Sequence, residues 1–231
     1  MALLVRTWNL YHGRTAPPSG RTHLERMVRL IVEGDPDVVA LQEVPVWALD
    51  DLRRWSGMSA LNAVARPARL GAVGRRITAV APDVVRSAFS GQANAMLLGD
   101  ALVAAGPERV VTLNPGARRE RRVCQVVPVR RDGAALTLAN LHATAHDPAA
   151  ARLELARAAD ELPSAGAAVV CGDFNVAATG LDGFSPPISG IDQILLRGLE
   201  FERPPAAWPR ARRRLGRVLL SDHAPVEAVI R

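Results

Sequence analysis

Six short apolar runs in this chain carry the same few polar residue types at their ends. "LLVRTWNL" (3–10) closes around Asn9, "VVALQEV" (38–44) around Glu43, and "ALTLANLH" (135–142) around Asn140 and His142. "AAVVC" (167–171) runs into Gly172, Asp173, Phe174 and Asn175, "IDQILL" (191–196) opens with Asp192, and Asp222 and His223 precede "PVEAVI" (225–230). Runs of this length and apolarity read as buried strands. A lone Asp or Asn after a strand is usually a turn residue. Turn chemistry does not account for the recurrence, and a carboxylate inside "VVALQEV" is costly unless it is paired or bound to a metal. If the strands lie in adjacent sheets, their polar ends converge in one cleft.

Between the strands the pattern is helical. In "THLERMVRLIVEG", Thr22 and Glu25 have the spacing of a capping box. Leu24, Met27, Val28 and Ile31 form an apolar face there, and Gly34 marks the stop. Residues 46–56 read as a helix, 72–90 as a helix broken at Pro82, and 148–162 as a helix with Pro148 at its start. "NAMLL" (94–98), "RVVTL" (109–113) and "RVCQVVPV" (122–129) add strands, and "RRDGA" is an Asp-Gly hairpin turn into the strand after it. Strands alternating with helices over 231 residues, without a repeat or linker, predict one layered α/β domain spanning 1–231.

Composition narrows the function classes. No apolar run approaches the ~18 residues of a bilayer span, and "MALLVRTWNL" is too short of apolar residues for a signal peptide, so a cytoplasmic location is expected. Cys124 and Cys171 both sit in apolar strands and read as buried thiols. The net charge is +6, and every basic residue is Arg. Part of that bias reflects composition; the remainder suits a substrate bearing phosphate, nucleic acid among the options. "RRERR" (118–122) and "RARRRLGR" (210–217) read as solvated faces or as a rim that docks phosphates.

Carboxylates, carboxamides and two imidazoles at one cleft are what hard-cation phosphoester chemistry needs. Mg²⁺ is held by one or two carboxylates with water and phosphate oxygens, and an attacking water needs a carboxylate base. Other chemistries lack their parts. "HATAH" places His142 and His146 four apart, but the Glu of a zinc protease helix is missing. There is no phosphate loop with Lys and no Gly-x-Ser-x-Gly elbow.

"TWNL", "LQEV", "NLHA", "GDFN", "IDQIL" and "SDHAPV", in this order from residue 7 to residue 226, resemble the endonuclease/exonuclease/phosphatase (deoxyribonuclease-I-like) superfamily. The resemblance implies a four-layer α/β/β/α sandwich of two mixed sheets with outer helices. It further implies an Mg²⁺- or Mn²⁺-dependent phosphoesterase, nucleases included. Glu43 would be the chief metal ligand, with Asn9 beside it and Asp222 nearby. Asp173 would activate the attacking water, and Asn175 would help hold it. His223 would contact the scissile phosphate with Asp192 fixing its tautomer, and His142 would act as an acid or phosphate ligand. Asn94, Asn140 and Gln92 are expected near substrate. Leu141 stands in the middle of the family's Asn-Thr-His block, and only 16 residues separate Asn175 from Asp192, little room for a duplex-gripping loop. DNA, RNA, nucleotides, lipid head groups and inositol phosphates all remain open as substrates. The alternative is a catalytically silent, basic nucleic-acid-binding module, which would have no need to keep Glu43, Asp173 and Asp192 together.

Overall fold

The computed structural model describes residues 2–68, 87–116 and 120–231. Two mixed sheets lie face to face. The first draws on β1 (Leu3–Asn9), β3 (Val38–Val44), β4 (Ser59–Arg66), β5 (Gln92–Leu98), β12 (Phe201–Ala207) and β15 (Val226–Ile230), in the order β12-β15-β1-β3-β5-β4. The second runs β11-β10-β9-β8-β6 and is built from β6 (Val103–Ala104), β8 (Val123–Arg131), β9 (Ala134–His142), β10 (Ala168–Asp173) and β11 (Asp192–Arg197). β7 (Arg109–Thr112) also pairs with β8. A small third sheet joins β2 (Thr15–Ala16), β13 (Arg214–Leu215) and β14 (Val218–Leu220).

Three apolar clusters give the four layers. Val5, Ala40 and Met96 of the first sheet meet Val127, Leu138 and Val169 of the second in the central core. The outer face of the first sheet, through Trp8, Val39 and Leu41, receives Leu24, Met27, Val28 and Ile31 of helix α1 (Leu24–Ile31), with Leu52 and Trp55 of α2 (Leu52–Ser56) alongside. The outer face of the second, through Val126, Leu141 and Val170, receives Ala151, Leu155 and Ala158 of the helix Pro148–Asp160. Burying a Leu or Met side chain contributes about 1.5–3 kcal/mol, so these stripes are what hold helices that are otherwise short.

Several local expectations are refined. Asp132 and Gly133 both adopt positive φ in the β8–β9 turn, the conformation that a two-residue hairpin requires. Asp147 caps the helix that starts at Pro148, accepting from the Ala150 amide at 3.0 Å. The capping box does not form: His23 takes the cap position of α1, and Glu25 binds Arg29 one turn on, at 2.8 Å. Residues 46–56 are a 3-10 segment, Val46–Asp51, leading into α2. The expected helix at 72–90 falls mostly outside the described residues, with one helical turn at Ser87–Ser90. β4 and β12 read poorly in sequence, since one is rich in alanine and the other contains Pro204 and Pro205. Both are edge strands, where neither weak propensity nor a missing N–H breaks a ladder.

Candidate active site

The site grows from one rung of the second sheet. In the β9–β10–β11 register His142 lies beside Asp173, and Asp173 beside Asp192. Gly172 makes that rung reachable. Its φ is 142°, and a Cβ there would stand 1.9 Å from the Leu141 carbonyl oxygen, so only glycine lets β10 pass β9 this closely. Beyond Asp173, Asn175 turns back at positive φ. Its amide donates to Asp173 Oδ1 at 3.0 Å, and its carboxamide donates to the Ala143 carbonyl at 2.9 Å.

From the first sheet, Asn9 reaches across and donates to Asp173 Oδ2 at 2.9 Å, while its own oxygen accepts from the Tyr11 amide. Asn9 also lies close enough to Glu43 to pull its carboxyl down against the effect of burial. Glu43 sits where the β3–β5 register slips, at φ 53°, an irregularity that aims its side chain into the cleft. The third member arrives on the loop after β14. Ser221, at φ 60°, donates to the Asn9 carbonyl at 2.7 Å and accepts from the His223 amide. The buried Arg213 donates to the Leu220 and Ser221 carbonyls and holds the same loop from behind. His223 then pairs through Nδ1 with Asp192, at 2.9 and 3.1 Å.

Asp173 is 1% exposed. Burial first and Asp192 second raise its carboxyl to about 7. Burial lowers His223, but the hydrogen bond and charge of Asp192, helped by Asp173 and Asp222, outweigh it and carry the imidazolium to about 10. His142 goes the other way: burial, then Arg122, take it well below its ordinary 6.5. Its Nε2 lies 3.1 Å from Arg122 Nη1, and its Nδ1 2.9 Å from the Gln92 amide. Arg can only donate, so Nε2 accepts and the proton is assigned to Nδ1; the Gln92 carboxamide, placed with its nitrogen toward the ring, is then assigned the flipped orientation in which its oxygen accepts. Burial raises Glu43 as well, with Asn9 pulling against it.

These groups line a cavity of about 520 Å³ that includes Glu43, His142, Asp173, Asn175, Asp222 and His223. Asp192 stands directly behind His223. Asn94 and Asn140 do not line it. Asn140 is fully buried between the sheets, accepting from Gln42 at 2.8 Å and donating to the Leu41 and Ala95 carbonyls. Asn94 donates to the Val123 carbonyl. They form a polar tie between the sheets instead: each shares a strand face with its neighbour two residues nearer the cleft, His142 and Gln92, but lies deeper, where the facing strands close over it. Gln92 likewise acts through His142.

Four cleft residues escape sequence reasoning. Tyr11, His12 and Arg14 follow Asn9 in "NLYHGRT", and Arg122 ends the "RRERR" run. His12 brings Nε2 to 3.3 Å from Glu43 and is lowered to about 4 by burial and Arg14, so it faces that carboxylate uncharged. Arg122 is 5% exposed, not a surface charge at all. The only signal for it was its place three residues before the buried Gln125, on a strand that reads as continuous.

A family model described as the Endonuclease/Exonuclease/phosphatase family matches residues 7–226. The chain belongs to that family. Members of the endonuclease/exonuclease/phosphatase family are in general phosphoester hydrolases that use divalent metals. Similar folds occur in an endonuclease/exonuclease/phosphatase from Beutenbergia cavernae, at TM-score 0.74 and 18% identity over 100% of this chain and 71% of that one. A functionally unknown conserved protein from Enterococcus faecalis is similar at 0.73 and 17%, over 99% of each chain. TDP2 from C. elegans is similar at 0.71 and 14%, over 100% of this chain and 75% of that one. No curated protein matches the sequence. No helix among the described residues is long and apolar enough to cross a membrane.

The donor set fits the hard divalent cation that the family implies. Glu43, Asp173 and Asp222 offer carboxylate oxygens in the cleft, and both cysteines are buried elsewhere with thiols pushed up to about 12, so no thiolate site exists among the described residues. Two seats compete. Asp173, Asp192 and His223 bring ligand atoms within 4.8 Å of one another. In that group, however, His223 is protonated and spends Nδ1 on Asp192, which leaves it a poor ligand. Glu43 and Asp222 face the same cavity without that conflict.

Proposed function

We infer that this chain is a divalent-metal-dependent phosphoesterase in which Asp173 is the general base. The observation that carries this reading is the buried Asp173 carboxylate, held by Asn9 and the Asn175 amide and raised to about 7. A base tuned near the working pH combines the correct protonation state with a strong pull on the proton. A turn residue would have no reason to sit in that environment.

Asp173 accepts a proton from water as the water oxygen bonds to phosphorus, and the ester oxygen on the opposite side departs. His223, kept charged by Asp192, and Arg122, aimed by the uncharged His142, donate to the phosphoryl oxygens as negative charge builds there. Asn175, beside Asp173, would help hold the attacking water. Mg²⁺ or Mn²⁺ would be held by Glu43 and Asp222, with Asn9 beside them, and would supply Lewis-acid neutralisation of the phosphate. Because His142 Nε2 is occupied by Arg122, its part is to orient that cation; the ester oxygen leaves with the P–O bond pair as an anion and takes its proton from solvent.

The test is hydrolysis of bis-p-nitrophenyl phosphate with and without Mg²⁺, run beside single- and double-stranded DNA, RNA, sphingomyelin and inositol phosphates. Metal-dependent turnover that disappears in Asp173→Asn supports the reading. Turnover equal in the two proteins would remove Asp173 as the base.

A further inference from the structure

A second sizeable cavity among the described residues lies apart from the cleft. It has a volume of about 720 Å³ and lies on the outer side of the first sheet, between the first turn of α1, the Trp47–Trp55 segment and the tip of β13–β14. Its floor is the half-buried Trp47 ring, packed edge to face at 6.4 Å on Trp55, which with Leu24 and Leu220 is largely buried beneath it. Its rim is basic: Arg26, Arg29, Arg212 and Arg214 face it, against Glu25 and Glu33. Glu25 is already taken by Arg29 at 2.8 Å. Arg26 and Arg214 are exposed and make no ion pair among the described residues.

The arrangement gives the "RARRRLGR" run a place. Its members do not share one face. Arg213 points inward to the Leu220 and Ser221 carbonyls, while Arg212 and Arg214 turn outward onto this cavity. The Arg212 guanidinium is pinned 3.3 Å from the Trp208 ring centroid, so it is presented rather than free to wander. None of the three lines the catalytic cavity, so of the two readings of the run, a solvated face or a rim that docks phosphates, the second would apply to this outer cavity rather than to the cleft. The short β14 strand explains the separation: Leu220, at its end, lines the outer cavity, whereas Asp222 and His223 just beyond line the cleft.

We propose that this outer cavity is a second binding site, for a small phosphorylated ligand with a planar ring, such as a nucleoside monophosphate. The volume falls in the range of small-molecule sites, which are mostly apolar with a few convergent polar groups. Guanidinium groups match phosphate oxygens in pairs, and a ring packs on indole faces. A net positive rim around an aromatic floor selects an anion with a flat apolar body over either part alone.

The experiment is calorimetric titration of AMP into the Asp173→Asn protein with EDTA present, which silences turnover and metal-assisted binding in the cleft. One saturable site is expected, weakened about tenfold by Arg26→Gln and again by Arg214→Gln, as loss of a charge-assisted hydrogen bond implies. Glu43→Gln should leave it unchanged, and adenosine should bind at least tenfold more weakly. Absence of saturable binding would overturn the proposal. So would affinity that follows Glu43→Gln rather than the arginines, or inorganic phosphate binding as tightly as AMP. Both arginines are exposed, so these variants fold as the parent does, and the outcome is independent of whether the cleft hydrolyses anything.

Discussion

His223 and His142 approach the same carboxylate oxygen, Asp173 Oδ2, at 3.8 and 3.6 Å, and burial pushes both imidazoles toward the neutral form. Their charge states are nonetheless opposite. Behind His223 stands Asp192, and its charge and hydrogen bond carry the imidazolium to about 10. Behind His142 stands the uncharged Gln92, with Arg122 on the other nitrogen, and the ring stays neutral. One wall of the cleft therefore holds a fixed cation on an imidazole, and the other holds it on a guanidinium steered by an imidazole. The group behind each ring, rather than its depth, sets its part in the chemistry.

The strongest way to break the comparison is to remove the group that both rings face. Asp173→Asn should lower turnover by ~10²–10⁴ while the fold survives, because Asn is the same size and can still accept from the Asn175 amide. A crystal or circular-dichroism signature like that of the parent, together with unchanged turnover, would refute Asp173 as base. In the parent, the rate should rise with pH through about 7, as Asp173 loses its proton. That acid limb should be missing from whatever residual rate Asp173→Asn retains.

Asp192→Asn attacks one wall only. It leaves His223 a neutral hydrogen-bond partner, so burial is no longer opposed and the imidazole should titrate far below about 10. Turnover should fall by ~10–10², the range seen when a carboxylate orienting a site histidine is lost. Histidine-resolved NMR against pH checks the first statement. A double-mutant cycle with His223→Gln checks the coupling, since simple additivity would mean that the two residues do not act as a unit.

How much of this was legible differs between the two walls. The Asp192–His223 wall was readable, because both residues sit at strand ends in short family motifs and a carboxylate paired with an imidazole is chemistry that sequence can suggest. Gly172 was also legible as punctuation, though the reason for it, the Leu141 carbonyl pressed against β10, is a contact between strands. The other wall was not. Arg122 reads as one of a basic run, and only the β8–β9 pairing buries it against His142. Asn140 read as substrate-facing because His142 shares its strand face; it lies two residues deeper along β9, where that face is closed by Gln42 and the first sheet. Alternating strands and helices gave a layered α/β domain, and the family resemblance implied that the layers number four. The edge strand β12 could not be foreseen through its two prolines, and the α1 cap was misjudged by one residue because Glu25 found Arg29 instead.

A smaller effect appears in stability. The folded protein holds a proton on His223 up to about 10, whereas the unfolded chain releases it near 6.5. The pairing therefore stabilises fully below pH 6.5 and is lost as pH rises toward 10. Asp173 contributes in the same direction at lower pH, because the unfolded carboxyl ionises near 3.8 and the folded one near 7. Its burial thus costs stability progressively between those values. The melting temperature should decline across both windows, and Asp192→Asn should flatten the alkaline one. Identical alkaline limbs in parent and variant would show that the Asp192 pairing is not what holds the His223 proton.

The smallest effect is the most direct test of the comparison, because it tries to turn one wall into the other. Gln92→Glu places a carboxylate 2.9 Å from His142 Nδ1, the arrangement that Asp192 provides for His223. The new charge should raise His142, but Arg122 opposes it at 3.1 Å from Nε2, and two cations cannot share that contact. Arg122 must then turn away from the ring, and Glu120, already 3.2 Å from its Nη2, is the partner that can receive it. Turnover should change by less than ~10-fold, with the larger part in KM, since a displaced guanidinium loses ground-state contact with phosphate as well as contact in the transition state. His142 should begin to titrate in the accessible range by NMR. If it stays neutral down to pH 5, burial and Arg122 alone fix its state, and the missing carboxylate is not what distinguishes the two histidines.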